Sequence, residues 1–293
     1  MKGKLLAYAQ LLRIPNVFTA FADIAMAACA AGYVADRPDV FAVLLLASGC
    51  LYCGGMVWND FFDRGEDAKA RPFRPIPSGR VPVRVALLLG LTLMAGGVAL
   101  TLFVPTAFPI ALAIVAAVVL YDAWLKHTPF GPVAMGTCRF LNILLGLSGA
   151  GGDVLALPSL HLAATTGLYI VGVTWFARTE EGQSNRRQLI LAAVVMLAAL
   201  GLAVTVPTHR LPGTTPIYFP YLVVAFGVLV GVKVVAAIQQ PGPKEVQAAV
   251  KRSILGLVAL DAVLATAFVG AWGLLILLLY LPARWLGRWV YST

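Results

Sequence analysis

The chain has 293 residues, of which 60% are hydrophobic and only 12% charged, with a formal net charge of +9. So little charge on so long an apolar sequence excludes a water-soluble globular domain. The positive excess is not a nucleic-acid footprint either, because there is no basic soluble domain and no recognition motif; no nucleic-acid partner is expected.

Apolar stretches long enough to cross a bilayer recur along the chain, near 14–35, 39–58, 83–103, 106–122, 131–150, 159–176, 188–206, 217–238 and 252–281. They are too long for barrel strands and lack the period-two alternation of strands. The expectation is an all-α integral membrane protein, a single domain over 1–293 with about nine transmembrane helices embedded in a lipid bilayer. The first stretch has no clean small-residue cleavage pattern and reads as a retained helix. Nine spans put Lys2, Lys4, Arg13, Arg64, Lys69, Arg71, Arg74, Arg80, Arg84, Lys126, Arg178, Arg186, Arg187, Lys233, Lys244, Lys251 and Arg252 on one side, and only Arg37, Arg210, Arg284 and Arg288 on the other. By the positive-inside rule the first side is cytoplasmic. The four cysteines fall inside predicted spans. Cys50-x-x-Cys53 has a redox spacing but no second pair or nearby His, so buried core thiols are expected.

In chain order, the first polar feature is Asn16, Thr19 and Asp23, one stripe of the first span at i, i+3 and i+7. Next, Asn59, Asp60, Asp63 and Asp67 spell N-D-x-x-D-x-x-x-D. On a continuous helix they fall at roughly 0°, 100°, 40° and 80° around the axis, with Glu66 just outside the stripe. Like charges at this spacing repel, and a hard divalent cation resolves the conflict because carboxylates are its natural ligands. Arg71, Arg74, Arg80 and Arg84 follow at once, and Pro72, Pro75 and Pro77 stop the helix and impose a turn. Tyr121 and Lys126 close the fourth span on the same face; as a pair alone they would be ordinary interfacial anchors. Arg139 and Asn142 lie at i and i+3 in the fifth span, and Asp261 stands in the ninth. Ionisable groups in spans face the protein interior, so two accounts remain open. Asp23 or Asp261 pairs with Arg139, or Asn16, Arg139, Asn142 and Asp261 line a hydrated cavity. In the tail, Trp285 and Trp289 with Arg284 and Arg288 suit a short interfacial segment.

An acid stripe followed by a basic run is what a metal–diphosphate complex needs. Mg²⁺ is bound through a few carboxylates plus substrate phosphates, and neutralising the diphosphate makes it a better leaving group. Arg71, Arg74, Lys126 and Arg178 are candidates to add to that clamp.

The string N-D-F-F-D-R-G-E-D-A-K-A-R-P-F-R-P-I-P-S-G-R resembles the first aspartate-rich motif of the UbiA-type intramembrane prenyltransferase superfamily, in wording nearest its geranylgeranylglyceryl phosphate synthases. L-R-I-P-N-V-F-T-A at 12–20 resembles the opening helix, and Y-D-A-W-L-K at 121–126 the tyrosine-to-lysine loop. The resemblance implies Mg²⁺-dependent transfer of a polyprenyl group from a polyprenyl diphosphate donor, on the cytosolic side of a bundle open laterally to lipid. It gives Asn59, Asp60, Asp63 and Asp67 the metal–diphosphate role, Lys126 an assisting role at the diphosphate, and Asn16 a place in the cavity wall. Asp60, Asp63, Asp67 and Lys126 are thus the catalytic candidates. Asn16, Asn59, Arg71, Arg74, Tyr121, Arg139, Asn142, Arg178 and Glu181 are the substrate-binding ones. The acceptor is open: a lipid precursor, an aromatic or another small metabolite.

The family's second aspartate-rich motif is replaced by F-A-R-T-E-E-G-Q-S-N-R-R-Q-L, without an aspartate. Adjacent Glu180 and Glu181 project about 100° apart, and Arg178 shares a face with Glu181. One metal is therefore expected rather than two. F-A-R-T-E-E, G-P-V-A-M-G-T-C-R-F-L-N and G-L-Y-I-V-G-V-T-W-F are similar to a UbiA-like subgroup of bacterial ebo gene clusters, associated with export or processing of natural products; this resemblance implies a bacterial cytoplasmic (inner) membrane. The rival expectation is accordingly a non-catalytic UbiA-like protein that binds or helps to move such a molecule. A secondary transporter is a weaker third, since the polar groups gather at one membrane face.

Overall fold

A computed structural model describes residues 2–180 and 182–290, so Glu181 lies outside the described residues. The apolar runs form helices because a backbone in lipid must satisfy its hydrogen bonds within the segment. In chain order these are α1 (Lys2–Leu11), α2 (Ile14–Ala31), α3 (Pro38–Phe62), α4 (Arg64–Ala70), α5 (Val83–Thr101), α6 (Phe108–Ala123) and α7 (Gly131–Leu147). After them come α8 (Leu157–Ala177), α9 (Arg186–Thr205), α10 (Phe219–Gln239), α11 (Pro243–Val269) and α12 (Tyr280–Leu286). Helices α2, α3, α6, α7, α8, α10 and α11 begin with proline in their first two positions; the missing N–H costs nothing there. Eight segments are long and apolar enough to cross a membrane, and α6 is a shorter apolar helix.

Neighbouring helices pack where small residues let backbones approach. A Cβ on Gly136 of α7 would come within 2.6 Å of the Gly167 carbonyl oxygen of α8, so this pair admits no larger side chain. Outward faces stay apolar, as on α10, where Val224, Val228, Val232 and Val235 are exposed for lipid to cover.

The predicted ninth span, 252–281, is corrected. Helix α11 ends at Val269 beside the far end of α2: Phe268 and Ala30–Ala31 line one cavity, and Arg210 stacks 4.9 Å above the Phe268 ring. Gly270 then takes a positive φ of 62°, open to glycine at no steric cost, and the chain reverses. The 3-10 segment Gly270–Leu279 and α12 run back along α11 and α2. A Cβ on Gly273 would sit 2.5 Å from the Thr266 backbone nitrogen, and one on Gly287 would lie 3.9 Å from Pro15 Cβ, at the start of α2. Arg284 and Arg288 therefore lie at the end where α2 begins, not at the opposite end. The sequence hid this because 270–281 is as apolar as the span before it.

Candidate active site

Helix α3 ends at Phe62 and α4 starts at Arg64, yet the Asp63 and Asp67 amides still donate to the Asn59 and Asp63 carbonyls. The register of the stripe thus survives the junction. Asp60 and Asp67, seven residues apart, converge as expected: Arg74 Nη1 lies 2.7 Å from Asp67 Oδ2 and 3.5 Å from Asp60 Oδ1. Arg74 (8% exposed), Asp60 (4%) and Asp67 (2%) are all buried, so these charges hold each other out of water. Arg71 adds a contact of 3.5 Å to Asp67 Oδ1. Asp63, set about 40–60° away around the axis, turns to Lys126 Nζ, which also lies 3.9 Å from Asp122 Oδ1.

Two members of the cluster escaped the sequence reading. Arg13 Nη2 donates to Asn59 Oδ1 at 3.1 Å and to Asp60 Oδ1 at 3.2 Å. Asn59 Nδ2 in turn donates to Asp122 Oδ1 at 2.8 Å, which fixes the orientation of its amide. Arg13 has φ 46°, and no other non-glycine among the described residues has a positive φ. Backbone strain of this sort costs about 1–3 kcal/mol and gathers at functional sites; here it turns α1 into α2 and aims the guanidinium at the stripe. The signals available were Arg13 inside L-R-I-P-N and Asp122 four residues before Lys126.

The remaining candidates divide. Tyr121 is half-buried within electrostatic reach of Arg13 and Asp63. Arg178 Nη2 donates to the Thr128 carbonyl at 2.7 Å, tying the end of α8 to the turn after α6. Glu180 is half-buried and within electrostatic reach of Arg71 and Arg13, two of the arginines that contact the acid stripe. Burial pushes the Glu180 carboxyl up from its ordinary range, against the pull of those two arginines. Burial is the largest single influence and works against the Arg13 charge, but Asp60, Tyr52 and Asp122 together more than offset it and the Arg13 pKa ends raised.

Arg139 and Asn142 belong to a second cluster, midway along the bundle. Arg139 Nη1 donates to Asp23 Oδ2 at 2.8 Å and Nη2 to Thr19 Oγ1 at 2.7 Å. Asn142 Nδ2 donates to the same Asp23 oxygen at 2.8 Å, while Ser48 Oγ donates to Asn142 Oδ1 at 2.7 Å. This is the pairing arrangement of the two left open by the sequence. Asp261 lies against Asp23, close enough for the two carboxyl groups to share a hydrogen bond when one of them is protonated. Tyr52 links the clusters: the Arg139 guanidinium stacks 5.4 Å above its ring, and Arg13 is within electrostatic reach. Asn16 is half-buried on the α2 face that carries Thr19 and Asp23. The cysteines are free thiols.

Fold and site together define a polytopic helical membrane protein with a carboxylate–guanidinium cluster where the helices meet one membrane face. A family model described as the UbiA prenyltransferase family matches residues 17–255, and the chain belongs to that family. It is similar to the digeranylgeranylglyceryl phosphate synthase of Methanoregula boonei, at 36% identity over 55% of this chain and 59% of that protein. The same enzyme of Methanopyrus kandleri is 31% identical over 75% of this chain and 83% of its own length. Protoheme IX farnesyltransferase 1 of Cenarchaeum symbiosum is 37% identical over 43% of each chain. In the first two of the curated relatives compared, the match thus spans about half of the relative's length. Among solved structures, a digeranylgeranylglyceryl phosphate synthase superposes with a TM-score of 0.69 over 92% of this chain and 99% of its own, at 20% identity. A UbiA homologue of Archaeoglobus fulgidus bound to GPP and Mg²⁺ gives 0.65, over 88% and 99%, at 14% identity. These likenesses establish the fold.

Proposed function

We propose that the protein transfers a polyprenyl group from its diphosphate to a small acceptor, with Mg²⁺ held by Asp60, Asp63 and Asp67. The observation that carries this reading is the convergence of Asp60 and Asp67 on one guanidinium nitrogen, flanked by Arg13, Arg71 and Lys126. Carboxylates that already share one cation have the donor set and closeness a hard divalent ion requires. When bound, Mg²⁺ supplies neutralisation of the diphosphate oxygens. Arg71, Arg74 and Lys126 bind those oxygens as they release the stripe, and stabilise the charge that gathers on them as the C–O bond breaks. Asn59, oriented by Asp122 and Arg13, positions the stripe. The apolar helices above it exclude water from the allylic cation until the acceptor attacks.

The names of the relatives support a glyceryl phosphate lipid as the first acceptor class to try. The segments similar to the ebo-cluster subgroup support the rival, a protein that binds or helps to move such an intermediate. The relatives compared are named for lipid and haem prenylation, so that finer placement stands on those segments alone. Charge asymmetry supports a cytosolic site, and the reversal at Gly270 adds to that support: of the four far-side arginines expected from the sequence, Arg37 and Arg210 stay at the far end among the described residues. Purified protein incubated with labelled geranylgeranyl diphosphate, Mg²⁺ and a panel of glyceryl phosphate, aromatic and small-metabolite acceptors should yield a labelled lipid. Donor binding without turnover across the panel would favour the rival.

A further inference from the structure

The far end of the bundle, opposite the acid stripe, holds a cavity of about 180 Å³. It lies between the ends of α2, α7 and α11, the start of α8 and the turn after α9. Ala31, Leu162 and Phe268 give it an apolar lining, to which Asp153, His209 and Arg210 add polar groups. Asp153 and Arg210 carry opposite charges, yet neither makes an ion pair with the other or with any other described residue. Each is held by something else. Asp153 Oδ1 accepts the Leu155 amide at 2.9 Å, which leaves Oδ2 open. Arg210 stacks 4.9 Å above Phe268 and its Nε donates to Thr214 Oγ1 at 3.4 Å, so both Nη groups lack a partner among the described residues. Opposite charges that share a cavity without neutralising each other are complementary to a ligand carrying both signs.

His209 narrows the class of cation. His161 Nε2 lies 3.0 Å from the Leu202 carbonyl, which can only accept, so this nitrogen carries the proton. In the neutral ring His161 Nδ1 is then an acceptor, and His209 Nε2, 2.8 Å away, donates to it. A neutral His209 therefore keeps a bare Nδ1. A bare imidazole nitrogen and an open carboxylate oxygen both accept hydrogen bonds, which a primary ammonium donates and a quaternary one does not. Next to the two charged residues along the chain, Leu155, Leu157 and Leu211 are exposed. Large apolar side chains beside both charges suit a surface immersed among lipid headgroups rather than one facing bulk water.

We propose that this cavity seats the headgroup of a zwitterionic phospholipid of the far leaflet, with its phosphate on Arg210 and a primary ammonium on Asp153 and His209. The lipid class with that pair of charges is phosphatidylethanolamine, and its acyl chains pass over the exposed leucines. The inference lies beyond the transfer reading and does not require it, because binding is read on resting protein without turnover.

The test is native mass spectrometry of detergent-purified full-length protein titrated with phosphatidylethanolamine, phosphatidylcholine or phosphatidylglycerol. The wild type should hold phosphatidylethanolamine at least about tenfold more tightly than the other two, the scale of one hydrogen bond to a charged group. Arg210→Gln should weaken all three lipids, and Arg210→Lys, which keeps the charge, should weaken them less. Asp153→Asn should weaken phosphatidylethanolamine alone and hold phosphatidylglycerol as the wild type does. Equal retention of the three lipids by the wild type, or undiminished phosphatidylethanolamine on Asp153→Asn and Arg210→Gln, overturns the proposal. Glycerophosphoethanolamine, the same headgroup without acyl chains, should not displace the lipid at equal concentration; displacement overturns the assignment to a lipid. A failed prenyl transfer assay would leave the proposal untouched.

Discussion

Arg74 is the residue whose removal most exposes the logic of the site. It is 8% exposed and serves two carboxylates that are 4% and 2% exposed, at 3.5 and 2.7 Å. Arg74→Met keeps much of the volume and removes the charge. Deleting one partner of a buried ion pair costs about 3–5 kcal/mol. Arg13 still reaches Asp60 at 3.2 Å and Arg71 still reaches Asp67 at 3.5 Å, so the lower end, about 3 kcal/mol, is expected. At 2–4 °C per kcal/mol for a chain of this order, the apparent melting midpoint should fall by roughly 6–12 °C in metal-free buffer. Mg²⁺ at a hundred times its Kd returns about 2.7 kcal/mol. It should therefore restore most of the loss in Arg74→Met, and shift the wild type less because Arg74 competes for the same oxygens. The assay is thermal unfolding of detergent-solubilised protein with EDTA or Mg²⁺. An unchanged midpoint without metal, or equal Mg²⁺ shifts in both proteins, would refute the idea that Asp60 and Asp67 form one cation-ready pair.

Other outcomes follow from the same geometry. Arg139→Met strands Asp23 and its neighbour Asp261 in the bundle interior and should cost about 3–5 kcal/mol, with no rescue by Mg²⁺; thermal unfolding checks both points. The raised Glu180 carboxyl makes the folded state hold its proton at higher pH than the unfolded chain does. Relative to Glu180→Gln, wild-type stability should be constant below about pH 4.5, fall as pH rises through the folded pKa, and level off above it; a pH series of melting midpoints on both proteins reads this. The chain reversal predicts that Arg288→Cys reacts with a membrane-impermeant thiol reagent from the same side as Lys4→Cys. Labelling from the opposite side would restore the uninterrupted ninth span.

The bundle was largely legible because one rule, apolar length, writes each span independently of its neighbours. The acid stripe was legible for a similar reason: its spacing is local, and helical geometry alone brought Asp60 and Asp67 together. What stayed hidden depends on contacts between distant segments. Arg13 meets Asp60 across 47 positions, and nothing in L-R-I-P-N signals the left-handed turn that aims it. The reversal at Gly270 was masked by uniform hydrophobicity, since a glycine within an apolar run reads as tolerated. For Arg139, composition showed an ionisable group needing a partner, but only packing chose Asp23.

The central claim is that the stripe drives diphosphate departure, and ³¹P NMR of purified protein with geranylgeranyl diphosphate and an acceptor tests it most directly. The account predicts Mg²⁺-dependent appearance of inorganic diphosphate, reduced at least about a hundredfold in Asp60→Asn and Asp63→Asn, the scale at which lost transition-state stabilisation acts. Diphosphate released at the wild-type rate by both variants, or by the wild type in EDTA, would contradict it.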